Sequence, residues 1–424
     1  MRFPLFLSLV LCASVLSAGE WPSWRGPTGN GIAQGEHYPT QWTATEHVQW
    51  KTPLPGSAGS TPVVTGSLIA LTCTERDAPS QDGKNKVWGL NRETGEVLWK
   101  TAVGNEKPGK HKKGSGCNPS PVTDGQHIFV YFKSGDFAAL DLKGNIVWHK
   151  NLQKEYGEDT LWWDLGTSPI LTEKHVVITV MQSGPSPSYL AAFDRMTGEV
   201  VWKVLRELGA PEEAAQSYST PVVTSFHGQE TLVTVGADFV TAHDASDGKE
   251  LWRVGSLNPE QNKYFRSIAS AAVTDGMVVA PYARGEMLYG IKLGGSGDVT
   301  KTHVAWEKKG LSSDVPTPIA IDGRAYVLTD KGVLACLSSA TGDVIWESPL
   351  EKNRHAFSAS PILAGGNLYA IREDGTTFVA EAGATFKLVA TNSLGDGVTV
   401  IATPVFVDGQ ILIRTFEGLF CIGK

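Results

Sequence analysis

Apolar residues in this chain come in short runs separated by turn residues, and no segment sustains a helical period apart from a single turn at "APEEAAQ" (210–216). "HIFVYF" (127–132), "MVVAPY" (277–282), "RAYVLT" (324–329) and "ILIRTF" (411–416) are such runs. Each follows an Asp-Gly pair: Asp124-Gly125, Asp275-Gly276, Asp322-Gly323 and Asp408-Gly409. Asp-Gly between apolar runs predicts a hairpin, because glycine takes positive φ at little cost. The pattern is that of short antiparallel strands throughout.

Two phrases repeat within it. In the first, a turn residue and a polar stretch lead to Gly, three residues and Trp. It reads "NRETGEVLW" to Trp99, "DLKGNIVW" to Trp148, "DRMTGEVVW" to Trp202, "DASDGKELW" to Trp252 and "SSATGDVIW" to Trp346. "HVAW" at Trp306 is a degenerate copy with an insertion, and "EHVQW" at Trp50 has only the final half. In the second phrase, Ser or Thr precedes Pro and an apolar run. Its copies start at Pro62, Pro121, Pro169, Pro221, Ala271 (the proline lost), Pro318, Pro361 and Pro404.

Each unit therefore holds four strands, and the period is about 50 residues, the size of a propeller blade. The predicted fold class is all-β: an eight-bladed β-propeller of four-stranded blades over residues 46–424. The last unit stops at "GLFCIGK" before any Trp phrase, whereas residues 46–54 carry a Trp phrase with no unit before it. The N-terminal strand should close the last blade and remove the open edges. Asn91, Asp141, Asp194 and Asp244 are placed to cap the turns. The repeated tryptophans are expected to pack between blades, each burying ~200 Å² and contributing about 5 kcal/mol before entropy losses.

The net charge of −7 removes the basic face a nucleic-acid binder needs. The one basic loop, "KPGKHKKG" (107–114), reads as solvated. Residues 1–18 read as a cleavable secretory signal: Arg2, an apolar run from Leu5 to Leu16, and Ser17-Ala18 at the cleavage site. The run is too short for a permanent anchor, and Leu11 is too bulky for lipid attachment at Cys12. The mature chain is expected to be periplasmic or secreted, not membrane-spanning, and monomeric. Its four cysteines, Cys73, Cys117, Cys336 and Cys421, match no zinc spacing and read as buried thiols. Export leaves a Cys73–Cys117 or Cys336–Cys421 bridge as the alternative.

The stretch "AFDRMTGEVVW" (192–202) resembles the docking motif of the pyrroloquinoline-quinone (PQQ) propeller repeat, and the resemblance extends over about 46–424. The opening "WPSWRGPTGNG" (21–31) is similar to the segment before the first blade in such proteins. The resemblance implies that residues 19–45 pack on the propeller, with Trp21 and Trp24 on blade edges. The family holds quinoprotein dehydrogenases, which bind PQQ and Ca²⁺ over the central channel. It also holds non-catalytic propellers, among them the periplasmic lipoprotein of the outer-membrane barrel assembly machinery. The dehydrogenases usually carry adjacent cysteines, which this sequence lacks, and blades with longer insertions. A hard cation needs six or more oxygens, and no acidic cluster suggests itself. No cofactor is expected; PQQ with Ca²⁺ stands as the alternative, with alcohols or sugars as substrates.

Binding candidates come from loops joining one blade's outer strand to the next blade's inner strand. Trp162, Trp163 and Asp164 lie in "EDTLWWDLGTSP", Tyr218 in "AAQSYSTP", and Tyr264 with Arg266 in "NKYFRSIAS". Asp314 lies in "SSDVP", and Arg354 with His355 in "NRHAFSASP". Trp162 and Trp163 fall outside the repeated phrase, so blade packing does not account for them. Aromatic and Arg anchors are the usual composition of recognition surfaces. No nucleophile constellation stands out; Ser120, Ser168 and Ser360 recur with the repeat as strand-entry residues, and "GGSG" (294–297) reads as a hairpin tip. The expected function is an exported binding or scaffold module of the cell envelope, with a protein, peptide or carbohydrate partner.

Overall fold

The computed structural model describes residues 19–76 and 82–424; the proposed signal segment, with Cys12, lies outside them. Eight antiparallel sheets form an eight-bladed β-propeller. Blades 1 to 7 occupy residues 63–105, 122–151, 170–205, 222–254, 272–309, 319–349 and 362–392. Blade 8 takes three strands from 405–422 and its outer strand, Val48–Pro53, from the other end of the chain. Trp50 pairs with Cys421 and Lys51 with Phe420 in that closure.

The repeated phrase works across the blade boundary. Five indoles, those of Trp50, Trp99, Trp148, Trp202 and Trp306, lie on the glycine of the next blade's outer turn, and these five and Trp346 donate Nε1–H to a carbonyl there. Trp50 donates to Arg92 O (3.0 Å), Trp99 to Leu142 O (3.1 Å), Trp148 to Arg195 O (2.8 Å) and Trp202 to Ala245 O (3.2 Å). Trp306 and Trp346 do the same to Ser339 O and Gly383 O, both at 2.9 Å. Gly198 (φ +69°) and Gly248 (φ +76°) show why the turn needs glycine: a Cβ would meet the Trp148 or Trp202 ring at 2.7 or 2.5 Å. The Asn and Asp residues cap these turns as expected; Asp194, for example, accepts the N–H groups of Met196 and Thr197 at 2.9 and 2.8 Å.

Trp252 is the exception. Blade 5 replaces the turn by residues 293–303, and Gly297–Asp298 pairs in parallel with Trp252 and Arg253 as a fifth strand on blade 4. "GGSG" is thus an edge cover rather than a hairpin tip, because the insertion has an unpaired neighbouring edge to satisfy.

The Ser/Thr before each proline position also has a shared task. Thr61 N–H donates to Ser120 Oγ, Ser120 to Ser168, Ser168 to Thr220 and Thr220 to Ser270, all at 2.8–3.0 Å. The relay continues through Thr317, Ser360 and Thr403, and Thr61 Oγ1 closes it on Thr403 O at 3.1 Å. A belt of hydrogen bonds therefore encircles the channel, where the sequence suggested only strand entry.

The four cysteines among the described residues are free and buried. Cys336 and Cys421 sit opposite Trp346 and Trp50, in the register slot that Gly89 and Ala139 fill opposite Trp99 and Trp148. They are small residues under an indole, and burial pushes their thiols up to about 11 and about 12.

The N-terminal segment packs on the inner edge strands of the blades, across the channel end. Trp21 is fully buried, pairs with Val64 and lies against Phe406. Arg25 donates to Pro361 O and Pro318 O at 2.9 and 2.8 Å, and burial without a carboxylate partner pulls its guanidinium down to about 9. Asn30 reaches Val273 O, and Ile32 bridges Leu363. The buried carbonyls at the channel end are what recruit these polar side chains.

His243 in blade 4 gives a pH-dependent test of the packing. Its Nδ1 is 3.0 Å from Gly248 O and its Nε2 3.0 Å from Thr241 Oγ1, which accepts from Arg206 Nε. Burial, then the Arg206 charge, pulls the imidazole down to about 4. The folded state therefore holds fewer protons than the unfolded chain between about pH 4 and 6.5. Stability is full above about pH 6.5 and should fall by about 3 kcal/mol on acidification to about pH 4. Urea midpoints across that range should show the loss, and His243→Gln should flatten that component.

Candidate functional site

The connections between blades gather on one face of the ring, around a channel cavity of about 420 Å³. Trp24 of the N-terminal segment forms its floor and donates Nε1–H to Thr403 of the hydroxyl belt at 3.0 Å. The opposite end opens among the loops.

Of the predicted residues, Trp163, Asp164, Tyr218 and Arg266 line the cavity. Asp164 is buried and committed: it accepts the N–H groups of Lys110 and His111 at 2.8 and 3.0 Å and pairs with the fully buried Lys133. Gly114 passes so close that a Cβ would lie 1.6 Å from Asp164 Oδ2. This carboxylate pins the loop 107–114 over the mouth. The loop is thus not merely solvated, because its amides needed an acceptor. Lys110 and His111 keep exposed positions, while Lys113 reaches Glu373 at 2.5 Å.

Tyr218 donates its hydroxyl to Gln216 Oε1 (2.9 Å) and accepts Trp163 N–H (3.3 Å); burial pushes its phenol up. Arg266 makes a two-point fork onto Asp314 at 2.7 and 2.9 Å. Asp314 is therefore the arginine's anchor rather than an independent contact. Its own N–H donates to Asp330, whose carboxyl is pushed up by burial.

Five candidates, Asp314 among them, lie outside the lining. Trp162 and Tyr264 are 44% and 49% exposed, and Trp163 is 40% exposed, so three aromatic side chains stand open to solvent on this face. Arg354 and His355 contact each other at 3.3 Å on an exposed stretch and do not reach the cavity. The sequence reading missed Glu213 and Arg284. Glu213 accepts Trp163 Nε1–H at 2.8 Å and draws Arg284 to 3.5 Å. Only "APEEAAQ" hinted at Glu213, through its turn, which is a 3-10 helix at Glu212–Ala215. Nothing in "YARGEM" marks Arg284, whose position depends on its backbone.

Fold and site together define a β-propeller around a capped, aromatic-lined channel. The family model described as outer membrane protein assembly factor BamB matches residues 33–203 and 292–387, and the chain belongs to this family of PQQ-repeat propellers. Among solved structures it is similar to BamB from Moraxella catarrhalis, at 15% identity over 88% of this chain and 96% of that one, with a TM-score of 0.59. It is also similar to the quinohemoprotein alcohol dehydrogenase from Comamonas testosteroni, at 12% identity over 96% and 81% of the two chains and a TM-score of 0.65. A europium-containing methanol dehydrogenase gives 12% identity, 95% and 91% coverage, and a TM-score of 0.65. These likenesses are of fold. No curated protein matches the chain. Among the described residues no helix is long and apolar enough to cross a membrane.

Proposed function

We propose that this protein is an exported recognition and scaffold module of the cell envelope, binding a protein, peptide or carbohydrate through its loop face. The observation that carries the reading is the set of exposed aromatics, Trp162, Trp163 and Tyr264, held on anchored backbone. Trp162 N–H donates to Gln216 at 2.9 Å and Tyr264 N–H to Asn262 at 3.0 Å. Rigid aromatics lose little entropy on binding and make good anchors. Membership of a family described by an outer-membrane assembly factor supports the envelope setting.

The second reading, a PQQ- and Ca²⁺-dependent dehydrogenase of alcohols or sugars, is favoured by the two dehydrogenase folds. The residues at the mouth do not fit it. Asp164, Asp314 and Glu373 are each paired with a cation, Lys133, Arg266 and Lys113 respectively. A hard cation would compete with these ammonium and guanidinium groups for every carboxylate oxygen it needs. No catalytic step is derived through such a cofactor.

Trp162→Ala combined with Tyr264→Ala should cut partner capture from envelope extract at least tenfold. Because both rings are exposed, the thermal transition should stay within about 3 °C of the natural chain. Undiminished capture would remove the proposed face.

A further inference from the structure

The charge at the cavity is asymmetric. Lys113, Arg266 and Arg284 line it, whereas their carboxylate partners Glu373, Asp314 and Glu213 stand outside the lining. The one lining acid, Asp164, is already saturated by two amides and Lys133. Each lining cation is thus paired with a carboxylate outside the lining, and only its remaining N–H groups are left for a ligand.

Arg266 is 8% exposed and already paired: its terminal nitrogens fork onto Asp314, and its Nε faces Glu213 Oε1 at 3.5 Å in an ion pair. One further observation points to a ligand. Arg284 is presented by three consecutive left-handed residues, Ala283 (φ +54°), Arg284 (φ +55°) and Gly285 (φ +80°). L-residues visit that region singly, so such a run is strained. It is held because Gly285 packs on the Ser313–Asp314 backbone, where a Cβ would sit 2.7 Å from Asp314 N. Backbone strain that places a cation at a cavity mouth is the kind retained at functional sites.

Below the cations, Ser120, Ser168, Thr220 and Ser360 line the cavity and use their hydroxyl oxygens as belt acceptors. Each such hydroxyl keeps an O–H to donate. Trp24, Trp163 and Tyr218 add aromatic surface. Hydroxyl donors, aromatic rings and guanidinium groups around one cavity match a sugar ring that bears a carboxylate. A peptide end would need main-chain partners or an aliphatic pocket, and the lining offers only Ile268, Val315 and Ile401 as aliphatic surface.

We propose that the channel cavity binds the acidic end of a glycan, a uronate, with Arg266, Arg284 and Lys113 receiving the carboxylate. This rests on the loop face being a recognition surface and deepens that reading by naming the ligand chemistry. The two fail separately, because the exposed aromatics are tested by partner capture and the cavity by direct titration.

The experiment is calorimetric titration of the mature chain with digalacturonate. Neutral digalactose, a tripeptide with a free C-terminal carboxylate, and PQQ are titrated in parallel. Digalacturonate should bind saturably and at least tenfold more tightly than digalactose. Arg284→Gly should lose at least tenfold in affinity while its Tm stays equal or rises, since glycine accepts the left-handed backbone. Arg284→Lys should recover part of the affinity. A structural role for Arg284 would instead lower Tm and leave binding unchanged. The proposal is overturned if digalacturonate gives no saturable heat, if digalactose binds equally well, if Arg284→Gly binds as the natural chain does, or if only the peptide or PQQ saturates the cavity.

Discussion

A chain beginning at Leu54 should fail to fold. It lacks Val48–Pro53, the outer strand of blade 8, and with it the pairing of five residues along Gly418–Ile422. It also lacks Trp50, which covers Gly95 of blade 1, so the boundary between blades 8 and 1 loses its docking indole. Trp21, Arg25 and Trp42, all buried, go as well. A ring differs from an open sheet here: removing one strand exposes two apolar blade faces and an unpaired edge, which invites aggregation. The expected result is loss of the near-ultraviolet circular dichroism of the packed tryptophans and recovery in the insoluble fraction. Supplying residues 19–53 as a separate peptide during refolding should restore soluble, cooperative material. A chain from Leu54 that melts cooperatively on its own would show that the terminal strand does not close the ring.

The second large effect lies at a single blade boundary. Trp202→Ala removes a buried indole and its bond to Ala245 O and should cost about 3–5 kcal/mol. Gly248→Ala should also destabilise strongly, for two separable reasons. Its φ of +76° is unfavourable for alanine, and the new Cβ would lie 2.5 Å from the Trp202 ring. In the Trp202→Ala background the collision disappears and only the backbone cost, about 1 kcal/mol, should remain. Chemical denaturation of the four variants gives the coupling directly. Additive effects would mean that the indole and the glycine do not meet.

The blade count was legible because the Trp phrase and the Ser/Thr-Pro phrase both describe contacts repeated from blade to blade, the Trp contact failing only at Trp252. Both chemical requirements are local: a turn glycine under an indole, and a hydroxyl before a strand. The N-terminal strand could be assigned for the same reason, as Trp50 is half of a phrase whose other half stands at the opposite end of the chain. What the sequence concealed depends on position across blades. "GGSG" (294–297) looked like a hairpin tip because nothing in its composition shows that a neighbouring blade has a free edge beside it. Trp21 does lie on an inner blade edge, but nothing in its phrase shows that the segment caps the channel end, where buried carbonyls recruit Arg25 and Asn30. At the site, exposed aromatics were readable because they break the repeat. Glu213, Arg284 and the role of Lys113 were not, since each depends on loops from different blades meeting over one cavity. Arg284 depends further on three left-handed residues that "YARGEM" does not announce.

Hydrogen–deuterium exchange of the chain, free and saturated with its captured partner, tests the loop face as the recognition surface most directly. Protection is predicted over 106–116, 158–169 and 262–270, the loops that carry Lys113, Trp162, Trp163, Tyr264 and Arg266. Protection confined to outer strands such as Val200–Leu205, or to the channel-capping segment 20–32, with those loops exchanging as in the free chain, would contradict the account.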